Sequence, residues 1–157
     1  MSLPAPTLEL VAELSVTVAA PIEAGDVQGA STRGKRRTIP ITGGTVRGRV
    51  NGHVLPGGAD FQLIVSDTMA VLDARYTLEL DSGARIFVQN HALRRGSAEA
   101  IAKLVRGEPV DPAEIYFRCV PTFEVSDPAL SWLTESIFVG TGARFPDRVE
   151  IAIYRIG

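Results

Sequence analysis

Cysteine, histidine and tryptophan are nearly missing from this chain: Cys119 is the only cysteine, Trp132 the only tryptophan, and His53 and His91 are the two histidines. One thiol cannot close an intrachain disulfide, and with two distant histidines it makes no zinc-ligand cluster, so no metal site is expected. A chain without disulfides suits a reducing compartment. Neither sign of charge dominates, and a net charge of −2 gives no whole-molecule attraction for nucleic acid or an anionic membrane. Residues 1–20 lack a basic start and carry Glu9 and Glu13 inside their apolar part, which is unlike a signal peptide or a membrane span. The expectation is a cytoplasmic protein whose partners are neither nucleic acid nor membrane.

Several signatures of chemistry are missing too. None of the glycine-rich stretches matches a phosphate-binding loop, and Gly140-Thr141-Gly142 runs into Arg144-Phe145-Pro146 instead of opening a helix. No G-x-S-x-G elbow occurs, and the spacing of Ser, His and Asp suggests no triad. Nothing in the sequence calls for a cofactor.

What is present is β-pattern. Over residues 8–18, Leu8, Leu10, Leu14, Val16 and Val18 share one parity, with Glu9, Glu13, Ser15 and Thr17 on the other, as in a half-buried strand. Residues 21–35 show no apolar period and several glycines, and read as a loop able to fold over something. Short β-rich runs follow at 37–41, 45–55, 61–65, 70–80 and 85–93, separated by Gly43-Gly44, Pro56-Gly57-Gly58 and Asp81-Ser82-Gly83, which is the punctuation of an antiparallel meander. Gly44, Gly48 and Gly52 recur four apart, where missing side chains allow the close approach that barrel closure needs. Residues 97–106 carry the one convincing helix, with Ser97 as cap, Glu99 in the first turn, Ile101, Leu104 and Val105 as a stripe, and Gly107 and Pro109 as stops. Further strands are expected at 114–120, 132–139 and 148–156. The predicted fold is therefore all-β: a single small antiparallel β-barrel over residues 1–157 with one short helix, residues 1–7 forming a flexible tail.

Small barrels either fill their interior with side chains or hold one ligand there, so polar residues at interior parity are the informative ones. Asp60 follows a glycine turn and shares parity with Gln62; Asp73, Arg75 and Thr77 share another, and Tyr116 and Arg118 a third. Together they offer a carboxylate, cations and a phenol, the inventory for binding an oxyanion and moving a proton. A structural Asp–Arg ion-pair network accounts for the same residues. His91 is a candidate general base, although a lone strand histidine is more often simply hydrogen-bonded. Trp132 and Phe123 are flat groups able to wall a ligand or to pack a core. The basic runs Arg33, Lys35, Arg36, Arg37 and Arg94-Arg95 read as solvated surface.

Several ordered motifs carry a resemblance. Pro40-Ile41-Thr42-Gly43-Gly44-Thr45-Val46, Leu55-Pro56-Gly57-Gly58-Ala59-Asp60, Ala74-Arg75-Tyr76-Thr77-Leu78, Tyr116-Phe117-Arg118, Pro121-Thr122-Phe123-Glu124 and Gly140-Thr141-Gly142-Ala143-Arg144 resemble, in order and over nearly the whole chain, the bacterial and fungal family known as domain of unknown function 3237, also called uncharacterised protein family 0311. The resemblance implies a compact antiparallel β-barrel and no particular activity. It also implies weight at Gly57, Gly58, Asp60, Arg75, Tyr116, Arg118 and Glu124. The chain departs from the family pattern at His91 and Thr122, where arginine is expected, which tells against a shared anion site at those two places.

Two functional readings result. In the first, a small organic molecule sits in the barrel mouth, with Asp60 and Tyr116 as acid–base residues and Arg75, Arg118, His91, Glu124 and Trp132 as ligand contacts. The chemistry it suits is cofactor-free isomerisation, cyclisation or elimination, or plain sequestration. In the second, the polar interior is structural and the chain is a binding or oligomerisation module, a dimer being the simplest assembly.

Overall fold

The structure is a computed structural model that describes residues 1–157. Ten strands form one closed antiparallel barrel of eight positions: β1 (Leu8–Val18), β2 (Ile22–Gln28), β3 (Arg33–Gly48), β4 (Gly52–Val54), β5 (Ala59–Ile64), β6 (Met69–Leu80), β7 (Arg85–Arg95), β8 (Tyr116–Val125), β9 (Phe138–Arg144) and β10 (Arg148–Ile156). Ten strands fill eight positions because β1 and β2 lie end to end along β3, and β4 and β5 lie end to end between β3 and β6. Around the ring the order runs β1, β10, β9, β8, β7, β6, β4/β5, β3, and the pairing of β3 with β1 closes it.

The single helix α1 (Ala98–Val105) lies where the cap and stripe predict it. The Ser97 hydroxyl accepts from the Ala100 amide at 3.1 Å, Glu99 and Lys103 pair one turn apart at 3.4 Å, and Gly107 beyond the C-cap takes φ +76°. No helix is long and apolar enough to cross a membrane. Residues 1–7 carry no regular structure, yet Thr7 exchanges two 2.9 Å backbone hydrogen bonds with Gly157.

Three local expectations are corrected. Residues 22–28 form β2 rather than a loop, turning back through a Gly29–Thr32 hydrogen bond of 2.8 Å. This strand hid because it buries nothing and so has no apolar period. Gly43 and Gly44 are not a turn: β3 runs straight through them, merging two expected strands. Trp132 sits in a 3-10 turn (Pro128–Leu133) capped by the Asp127 carboxylate, and the strand starts only at Phe138.

The core is the inner face of the ring. Leu14, Val16, Val46, Leu72, Leu78, Ile86, Val88, Phe138 and Ile153 are buried there, one parity from each strand. Closure explains the glycine spacing. Gly44 faces Val16 and Gly48 faces Ala12 across the β1–β3 seam, while Gly52 lies on β4 against β6. A Cβ on Gly44 would overlap the Ser15 carbonyl oxygen, and the residue holds φ +133°. Gly83, in the β6–β7 turn, also has positive φ, +88°, but open space around it. Gly44→Ala is therefore expected to cost about 3 kcal/mol or more, strain plus overlap, against about 1 kcal/mol for Gly83→Ala. Urea unfolding of the two variants checks this, and equal losses would show that the seam tolerates a side chain.

Candidate functional site

The interior of the barrel is not filled. Small inward residues, Ala74 on β6 and Ala92 on β7, leave a cavity of about 70 Å³ at the end that carries the β9–β10 turn. Its walls are apolar, with Ile39, Ile41, Leu72, Phe117 and Ile151 deep inside and Phe145 and Pro146 near the mouth. Into these walls are set Asp60, Gln62, Tyr76, Asn90, Arg94 and Arg144.

Register places them. Asp60, Ala74 and Asn90 are directly opposite one another across β5, β6 and β7, so the carboxylate and the amide flank an alanine. The next inward row runs Arg37, Gln62, Leu72, Ala92, Cys119. Arg94 stands one row further, between Ala70 and Phe117. Tyr76 is the next inward residue after Ala74 on β6. Arg144 closes the ring from the end of β9.

Every buried side-chain nitrogen or oxygen in the chain that lacks a hydrogen-bond partner belongs to this cluster: Arg37 Nε, Asp60 Oδ1, Gln62 Oε1, Tyr76 Oη, Asn90 Oδ1, Arg94 Nε and Arg144 Nη1. Arg37 Nε does lie 3.1 Å from Glu23, but off the angle of a hydrogen bond. Asp60 is divided: Oδ2 accepts from Gln62 Nε2 at 2.7 Å, and Oδ1 has no donor. Each unmet buried group costs about 1–3 kcal/mol, so seven together rival the whole stability of a domain unless water or a ligand meets them.

Burial sets the electrostatics. It pushes the Asp60 carboxyl above its ordinary value, more than the Gln62 hydrogen bond and the Arg94 charge pull it back. It lowers Arg94 to about 10, with Arg144 adding to the effect and Asp60 opposing it. Arg144 is lowered by burial and by Arg37, again against Asp60. Tyr76 is pushed well up by burial, with the charges of Cys119 and Asp60 adding to the effect, so its phenol stays protonated. Burial also raises Cys119, whose thiol faces the Asn90 amide.

Of the residues singled out from sequence, only Asp60 lies in this cavity. Arg75 and His91 are on the outer wall, where Arg75 and His91 reach Asp73 at 3.0 and 3.8 Å and Gln89 joins them. There burial would raise Asp73, but hydrogen bonds from Arg75 and Gln89 and the nearby charges hold it below its ordinary value. Tyr116 and Arg118 are also outside, Tyr116 between the guanidinium groups of Arg95 at 4.5 Å and Arg118 at 5.1 Å. Glu124 is exposed opposite Phe87. Trp132 packs on Phe138 at 6.0 Å under Arg49 at 3.9 Å, away from the cavity. The expected enclosure of Asp60 with Arg75 or Arg118 is thus corrected: the cations inside are Arg94, Arg144 and Arg37. The reason is parity. On β6 the apolar set Ala70, Leu72, Tyr76, Leu78 claims the inner face and turns Asp73 and Arg75 outward. Arg37 and Arg94, read as solvated, are 8% and 4% exposed.

Sequence reasoning missed Asn90 and Arg94, although both interrupt the apolar parity Ile86, Val88, Ala92 of β7, a readable signal. Tyr76 gave none, since a tyrosine among leucines reads as core. No three His, Cys, Asp or Glu side chains converge as a metal-ligand set.

A closed antiparallel barrel with a charged pocket on its axis defines the class of protein. The chain belongs to the family DUF3237, a protein family of unknown function, whose pattern matches residues 6–156. It is 45% identical over 154 residues to the UPF0311 protein RPA1785 of Rhodopseudomonas palustris, covering 96% of this chain and 98% of that one. The crystal structure of RPA1785, described as a conserved protein of unknown function, superposes with a TM-score of 0.91 and 41% identity over 99% of this chain and 100% of that one. A β-barrel-like protein from Acinetobacter baumannii superposes with a TM-score of 0.85 at 40% identity, covering 99% of each chain.

The raised Asp60 carboxyl has a consequence for stability. A group that binds its proton more tightly folded than unfolded stabilises fully below its ordinary value of 3.8, and that stability is lost as the pH rises through the raised value. The stability of the protein relative to Asp60→Asn should therefore fall as the pH rises above 3.8. Thermal melts of both across a pH series test it. A difference that grows with pH would mean that the arginines, not burial, govern Asp60.

Proposed function

We propose that this barrel binds a small organic acid in its axial cavity, the carboxylate lying between Arg94 and Arg144 and the rest of the ligand facing Asp60 Oδ1. The observation that supports the reading is that six of the seven unmatched buried polar atoms of the chain, all but Arg37 Nε, border this one cavity. A purely structural polar interior would be expected to satisfy itself, as the outer-wall cluster around Asp73 does.

Charge argues for an anion. Arg37 leans on Glu23 at the rim, leaving Arg94 and Arg144 against the single carboxylate Asp60. One excess positive charge in an apolar enclosure favours one negative charge on the ligand. Size argues for a small one: at roughly 10–15 Å³ per water, the 70 Å³ cavity suits a compact molecule of several heavy atoms. The apolar walls suit a short carbon skeleton.

Titration calorimetry with small carboxylic acids and their amides is the test, using 2-oxobutanoate, 4-oxopentanoate and benzoate. The acids should bind and the amides bind at least tenfold more weakly. Arg94→Met, which keeps the apolar stem, should weaken the acids tenfold or more, the worth of a charge-assisted hydrogen bond. Equal affinity for acid and amide, or an Arg94→Met variant that binds as well as the parent, overturns the reading.

A further inference from the structure

Asp60 and Tyr76 have an arrangement that binding alone does not use. Asp60 has one oxygen held by Gln62 at 2.7 Å and the other free. Tyr76 is 3% exposed and its hydroxyl has no partner. Both border the same cavity, and Arg94 and Arg144 border it too. A base, a phenolic donor and an anion anchor therefore surround one space. Of the positions to which the family pattern gives weight only Asp60 is part of this set, although Tyr76 and Arg144 also lie within motifs that carry the resemblance.

The geometry points to an enolising activity: Asp60 removes a proton from the carbon next to a ketone, Tyr76 hydrogen-bonds the oxygen that becomes the enolate, and the substrate is a small keto acid anchored by its carboxylate on Arg94 and Arg144. This inference rests on the binding reading above.

The step balances within the substrate and one side chain. The free oxygen of Asp60 takes the proton; the C–H electron pair becomes the new C=C bond, and the carbonyl π pair moves to oxygen. The Asp60 carboxylic acid then either trades its proton for one from solvent and delivers that to the same carbon, which is exchange, or returns the original proton to a conjugated carbon, which is isomerisation. No external oxidant or reductant enters. A carboxyl raised by burial is a stronger base than an ordinary one, and a phenol kept protonated remains a donor to the oxyanion. Gln62 is a positioning residue toward Asp60, since its Nε2 holds the other carboxylate oxygen at 2.7 Å.

Loss of the carbon-bound proton to D2O, followed by proton NMR on 2-oxobutanoate and 4-oxopentanoate, tests the inference with the whole chain. Exchange at the carbon beside the ketone should be at least tenfold faster than in buffer for one of these acids. Asp60→Asn should remove that acceleration while calorimetry still records binding. Tyr76→Phe, which keeps the ring in place, should slow exchange tenfold or more with the dissociation constant within about twofold of the parent. Binding without accelerated exchange overturns the enolising activity and leaves the binding reading standing, whereas absence of binding to both acids overturns the two together. Exchange at the parental rate in Tyr76→Phe overturns the role of the phenol.

Discussion

A single carboxylate set against three guanidinium groups inside an apolar barrel is the constraint around which this structure is arranged. Taking such charges out of water is costly, and the cost is tolerated only where each finds a partner. Asp60 partly offsets Arg94 and Arg144, Glu23 draws on Arg37 from the rim, and Gln62 fixes Asp60. The remaining mismatch is concentrated where Ala74 and Ala92 leave room. Larger apolar residues at those two positions would fill the space and exclude whatever meets the unmatched atoms. Room and mismatch coincide at one place in the barrel.

The members of the cluster come from β3, β5, β6, β7 and β9, and only a closed ring brings strands so distant in sequence around one point. Closure in turn depends on the β1–β3 seam, where Gly44 and Gly48 let two backbones meet. Register matters as much as closure. A slip of β6 by one residue would turn Asp73 inward and Leu72 and Leu78 to solvent, because side chains alternate with period two. The buried Leu72, Tyr76, Leu78 and Leu80 of β6 oppose that slip, so the apolar packing that stabilises the fold also aims the polar groups.

That dependence explains what the sequence disclosed. Strand alternation, turn residues and the capped helix were strong local signals, and the barrel with its one helix follows from them. β2 was invisible because it buries no face, and Trp132 misled because a bulky residue just before a strand looks like part of it. The site was less legible because inside and outside differ only by parity. Asp60 was legible from its glycine turn and its parity with Gln62. On β6 and β8 the polar residues that caught attention were the outward ones, while Tyr76 was disguised among core residues. Arg94 is betrayed only by its break in the apolar parity of β7, and Arg144 is a charge that no local pattern assigns to an interior; pairing through the ring does so.

The two faces of the same wall finally show why position, not residue type, decides chemistry here. Outside, Asp73 lies with Arg75 and His91, and Tyr116 lies with Arg95 and Arg118; inside, Asp60 lies with Arg94 and Arg144, near Tyr76. The inventories are alike. Outside, solvent screens the charges and hydrogen bonds hold Asp73 below its ordinary value, leaving a weak base in an ion pair worth about 0–1 kcal/mol. Inside, desolvation outweighs the neighbouring charges and shifts Asp60 the other way. A carboxylate that is hard to ionise holds a proton well, and an unmatched oxygen is free to receive one. The outer cluster has used its hydrogen-bonding capacity on itself, whereas the inner one holds polar atoms that no other protein group meets.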